Sequence, residues 1–156
     1  MGLRLGGCAL LEPNSDFYAH ATRRLAEALD SIAKPQSCPT GETLFRQGEP
    51  GTGVLVVRQG RVCLYASSPD HHARLSYRTV GPGYVLGLPA LFSGEPYSLT
   101  AEALEDCVFG FVERERAWQL VRERLDLCLE AIKLLAHEVR QLREWQAVVA
   151  EQSFIL

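Results

Sequence analysis

The sequence predicts a mainly β domain flanked by helices, its short strands closing into a small antiparallel barrel or sandwich. Three observations predict this. From Ser37 to Val112, short apolar runs alternate with glycine-bearing turns. On either side of that region the apolar spacing becomes helical. Near the C-terminus, a stripe advancing in steps of three and four runs from Leu125 to Val149. At 156 residues and 47% hydrophobic, the chain suffices for one domain with a real core and does not have the composition of a disordered one.

In chain order, Asn14-Ser15-Asp16 offers short polar side chains that cap free N–H groups and start a helix. Tyr18, Ala21, Leu25, Leu29 and Ile32 continue it at helical spacing, and Pro35 stops it. The strands expected next are 43–45, 53–57, 62–66, 73–80, 84–86 and 108–112, with Gly51, Gly60 and Gly83 as turn residues suited to positive φ. A short helix follows from Arg114, marked by Ala117-Trp118, Leu120 and Val121. The long helix then carries Leu125, Cys128, Ile132, Leu135, Val139, Leu142, Gln146 and Val149, the alternating a and d positions of a coiled-coil seam. In that register Glu138 falls at g and Arg143 at the following e, a pair that would join two parallel helices. Leu127, Leu129, Leu134 and Ala136 widen the stripe, so its first half is expected to touch both a twin and its own barrel. Gln146 at an a position either fixes register or marks fraying. The organisation expected is an N-terminal arm and helix over 1–35, a barrel over 36–124, a dimerisation helix over 125–152 and an apolar tail over 153–156.

Composition removes several function classes. A net charge of −3 without a basic run argues against bulk nucleic-acid binding. No apolar run reaches the length of a membrane span. Leu5-Gly6-Gly7-Cys8 imitates a lipoprotein box, but only seven residues precede the cysteine; Met1-Gly2 lacks the Ser or Thr of a myristoylation signal at position 6. A cytoplasmic location is therefore expected. Five cysteines at 8, 38, 63, 107 and 128 contain no CxxC pair, and Cys63 and Cys107 sit in apolar runs as buried thiols. The histidines at 20, 71, 72 and 137 have no ligand spacing with them. No metal or cofactor is expected, and no nucleophile–base grouping is legible, so the protein is not expected to be an enzyme.

Four segments, in order, carry a resemblance: 41–49 (GETLFRQGE), 54–62 (VLVVRQGRV), 80–87 (VGPGYVLG) and 101–107 (AEALEDC). They resemble the strand pairs, glycine turns and phosphate-cassette flanks of cyclic-nucleotide-binding domains. The chain is similar, over about residues 14–147, to the sensor half of the cyclic-AMP receptor protein and FNR regulators. The resemblance implies an antiparallel jelly-roll barrel, a nucleotide pocket inside it and a parallel homodimer through the long helix. It also implies a pocket wall of Phe45, Leu64, Tyr77, Arg78, Val80, Leu86, Gly87, Leu88, Tyr97 and Ser98, with Pro89 in the first turn of the cassette helix.

Two departures qualify what it implies. Family regulators continue into a helix-turn-helix, whereas the residues after Val149 are too few for one, so direct DNA binding is not expected and output through an unidentified protein partner is. The second departure is in the cassette, Val85–Leu104, which contains no Arg or Lys. Leu88 stands where the family's ribose-binding glutamate would be. Tyr97 or Ser98, depending on a one-residue gap, stands for its phosphate-clamping arginine. Hydrogen bonds to charged groups are worth about 1.5–3 kcal/mol each, so losing both contacts weakens nucleotide binding by two or more powers of ten. Arg78 is read either as a pocket cation arriving from another strand or as a solvated strand arginine. The function expected is a non-catalytic sensor or adaptor. A weak cyclic-nucleotide or other small-ligand sensor and a haem or redox sensor are the alternatives.

Overall fold

The structure, a computed structural model, describes residues 15–70 and 72–154. The readings at Met1-Gly2, Leu5–Cys8, Asn14, His71 and 155–156 lie outside them. Helix α1 (Ser15–Ser31) leads into eight strands: β1 (Lys34–Cys38), β2 (Thr43–Phe45), β3 (Gly53–Gln59), β4 (Val62–Ser67), β5 (Arg74–Val80), β6 (Val85–Leu86), β7 (Thr100–Ala103) and β8 (Cys107–Glu113). A short helix α2 (Leu88–Ser93) lies between β6 and β7; α3 (Arg114–Glu123) and α4 (Leu125–Phe154) follow β8. The strands form two four-stranded antiparallel sheets, ordered β1-β8-β3-β6 and β2-β7-β4-β5. This is the jelly-roll arrangement, mainly antiparallel β with flanking helices and one long C-terminal helix.

Its core follows from the apolar runs. Val54 to Val57 are all buried, because β3 lies between β6 and β8 and is covered on both faces. Leu25 and Leu29 of α1 are buried where that helix packs on α4, and Glu130 Oε2 of α4 accepts the Leu25 N–H at 2.9 Å. Several details differ from the sequence reading. The first helix ends at Ser31, and Pro35 lies instead inside β1, an outer strand where a missing N–H is tolerated. Gly60 and Gly83 have positive φ, but Gly51 does not. A Cβ on Gly51 would come within 2.8 Å of Ala90 Cβ, so close packing on α2, not turn geometry, keeps it small.

Helix α4 has two apolar faces. Leu127, Ala131 and Leu134 are fully buried against the rest of the molecule. The a positions Leu125, Ile132 and Val139 are 73%, 57% and 49% exposed, and Gln146 is exposed with them. The d positions Cys128, Leu135, Leu142 and Val149 are half-buried. The outward stripe is therefore formed by the a positions together with Leu129 and Ala136, and the d positions sit at its base. The expected Glu138–Arg143 bridge between twin helices is not the role of Glu138, whose side chain turns into the barrel.

Candidate functional site

Between the two sheets and α4 lies a cavity of about 70 Å³. Of the residues anticipated for its wall, Phe45, Leu64, Tyr77, Leu86, Gly87, Leu88, Pro89, Tyr97 and Ser98 line it. Val80 does not; it is buried in the core. Arg78 is also off the wall, behind Glu138, and its reading as a solvated strand arginine is overturned because it is only 2% exposed. Sequence reasoning missed Tyr84, Val85, Ala90 and Leu99, and with them Leu134, Leu135 and Glu138 of α4.

The cassette end of the cavity is apolar and structurally committed. Gly87 caps α2 with φ 90°, and a Cβ there would meet Gly53 O at 2.9 Å and the Tyr97 ring at 3.2 Å, so only glycine fits. Leu88 is buried. The Tyr97 hydroxyl donates to Gly53 O at 2.8 Å and accepts from Gly53 N–H at 3.3 Å, while its ring stacks on Phe45 at 4.2 Å. Of the two residues at the clamp position, Tyr97 is thus tied to β3 and Ser98 is exposed at the rim.

The polar end is built from β5, the residue before β6, and α4. Glu138 Oε1 accepts from Arg78 Nη1 at 3.1 Å and from the Tyr84 hydroxyl at 2.5 Å; Oε2 accepts from the Tyr77 hydroxyl at 3.3 Å. The Arg78 guanidinium also lies 4.9 Å from the centre of the Tyr84 ring, close enough for a cation–π contact. Tyr77 and Arg78 are chain neighbours whose side chains both reach Glu138, whereas successive side chains of a regular strand point to opposite faces. The register explains it. Leu64 pairs with Arg78 but Tyr65 pairs with Ser76, which leaves Tyr77 as the extra residue of a bulge and turns both side chains inward. Burial, and then the Glu138 charge, push the Tyr77 phenol up to about 12. Beside this group Trp145 Nε1 donates to Ser76 O at 3.2 Å, and its ring meets Tyr77 edge-on at 5.5 Å.

Among the described residues, no cluster of three or more His, Cys, Asp or Glu side chains is placed to hold a metal ion. Cys38, Cys63 and Cys107 are buried, and burial pushes the Cys38 and Cys107 thiols up. Among the described residues no helix is long and apolar enough to cross a membrane.

The barrel, the cassette-like turn at Gly87 and the long following helix have the architecture of cyclic nucleotide-binding domains, and comparison with known families agrees. The cyclic nucleotide-binding domain model matches residues 35–124, and the chain belongs to that family. It is 24% identical over 114 residues to the CRP-like cAMP-activated global transcriptional regulator of Mycobacterium tuberculosis, covering 73% of this chain and 50% of that protein. It is 27% identical over 119 residues to mouse patatin-like phospholipase domain-containing protein 7, covering 72% of this chain and 9% of that protein. Among solved structures, the Thermus thermophilus catabolite activator protein superposes with a TM-score of 0.71 at 25% identity, over 86% of this chain and 62% of that one. FixK2 of Bradyrhizobium japonicum gives 0.64 at 26% identity, over 72% and 55%. The chain thus spans half or less of the length of these two sequence relatives.

Proposed function

We propose that the domain is a non-catalytic sensor or adaptor whose phosphate cassette no longer grips a cyclic nucleotide. The observation that carries this reading is the cassette itself: a buried leucine follows Gly87, and of the two residues at the clamp position Tyr97 is bonded to the backbone of β3 and Ser98 is exposed. The cavity of about 70 Å³ supports it too, since pockets for ligands of drug or cofactor size run to about 300–1,000 Å³. Output is through protein contact. The outward stripe of α4 pairs with a second copy, and the dimer presents its surface to a partner protein in the cytoplasm.

The test is a thermal-shift titration with cyclic AMP and cyclic GMP. A ligand at a hundred times its Kd adds about 2.7 kcal/mol and raises the melting point visibly. No shift up to millimolar nucleotide is expected. A shift at micromolar cyclic AMP would overturn the reading and restore the domain as a nucleotide sensor.

A further inference from the structure

We infer that the Glu138 carboxylate is a built-in stand-in for a ligand, and that the barrel takes a small monocarboxylate with a compact apolar tail, which enters by displacing Glu138 from Arg78, Tyr77 and Tyr84. The inference rests on reading the barrel cavity as a ligand site and adds the ligand class and its competitor.

The donor set selects the chemistry. One guanidinium and two phenol hydroxyls converge on a single carboxylate from β5 and from Tyr84, just before β6. An ionised carboxylate only accepts hydrogen bonds and has about four sites for doing so, which suits three donors. Immediately beside it, the cavity wall is made by Leu64, Leu86, Leu88, Leu134 and Leu135. An anion head in the place of Glu138 would put an apolar tail in that space, and a ribose with its purine would not fit.

Stability alone does not account for the arrangement. Well-packed apolar side chains of similar volume commonly do as well as a buried ion pair or better. The two partners are also unequal. Arg78 is 2% exposed and fixed in the barrel, whereas the Glu138 side chain keeps 17% exposure and so retains a way out to water. Its neighbour on α4, Val139, lies on the outward stripe at 49% exposure. Expelling Glu138 therefore alters α4 at the level of the face that would meet a second copy. Because the internal carboxylate is tethered, a free one competes against a high local concentration, and its apparent affinity falls by the fraction of time the site stands open.

The experiment compares the full chain with Glu138→Gln, which keeps the shape but removes the charge and replaces one accepting oxygen with an NH2 donor. Sodium isobutyrate and sodium benzoate are titrated by calorimetry, with isobutyramide and benzamide as neutral controls. Trp118→Phe leaves Trp145, against Tyr77, as the single tryptophan reporting the same titration by fluorescence. At least tenfold tighter carboxylate binding by Glu138→Gln, no amide binding, and loss of the gain in Glu138→Gln/Arg78→Met would support the inference. Equal affinity with and without the Glu138 charge, or no carboxylate binding by folded Glu138→Gln, would overturn it. If that variant does not fold, the Trp145 titration of otherwise native protein decides: saturation by benzoate but not benzamide supports displacement, and no change up to tens of millimolar refutes it. Cyclic AMP is titrated alongside. Micromolar binding would overturn the proposed function through a different ligand, leaving the carboxylate result to stand or fall on its own titration.

Discussion

Arg78 and Glu138 meet at 3.1 Å, one from the middle of β5 and the other from the middle of α4, and the contact is lopsided: the arginine is sealed in and the glutamate reaches the surface. Removing either partner has a different cost. Glu138→Ala leaves a buried guanidinium without its carboxylate and is expected to cost about 3–5 kcal/mol. Arg78→Met leaves a carboxylate that can turn outward and should cost distinctly less. The Arg78→Met/Glu138→Met double variant should recover most of the loss. Urea unfolding of the three variants checks the order; equal losses for the two single changes would remove the asymmetry.

The Tyr77 phenol makes stability depend on alkaline pH. Unfolded tyrosine titrates near 10, and the folded group near 12 holds its proton longer. Between these values the folded state binds more protons than the unfolded one, so stability falls as pH rises. The contribution is complete below about pH 10 and is lost as pH approaches about 12. Tyr77→Phe should flatten that part of the curve, as read from urea midpoints at half-unit steps from pH 9. Identical slopes in the two proteins would contradict the assignment.

The two faces of α4 should separate assembly from folding. Ile132→Asp and Leu129→Asp alter only outward residues and are expected to convert a dimer to a monomer of 17.3 kDa in light scattering, with the monomer still folded by circular dichroism. Leu134→Ala opens a gap under the helix and should cost about 2–5 kcal/mol. A protein that is monomeric before any substitution would refute the pairing of two copies through the outward stripe.

Gly87→Ala tests the cassette turn. Its φ of 90° and the 2.9 Å approach to Gly53 O both oppose a side chain. The expected loss is about 1–3 kcal/mol, with the melting point dropping about 2–4 °C per kcal/mol in a chain of this size. An unchanged melting temperature would mean that the turn relaxes freely.

Much of the barrel was legible because its strands are short apolar runs bounded by turn residues. Strands β3, β4 and β8 extend those runs by two residues at most. Strand β1 gave no such signal: only Cys38 in it is buried, and Pro35 reads as a breaker. The apolar half of the cavity and, at its polar end, Tyr77 and Arg78 followed from the family resemblance, but Tyr84 and Glu138 did not. The heptad puts Glu138 at a g position as an outward charge, yet it also falls four residues after Leu134 and seven after Ala131. That puts it on the buried face of α4, and this spacing was the available clue. The bulge at Tyr77 was invisible, because strict alternation assigns Tyr77 and Arg78 to opposite sides.

The proline in β1 has a consequence for how the molecule behaves in crowded solution. An outermost strand is a template on which another chain can add itself, and four of the five residues here are open to solvent. Pro35 leaves that edge one donor short, and Lys34 beside it adds a charge that a stacked copy would have to bury. The residue that looks like a helix stop thus acts as a gatekeeper against fibre-like growth.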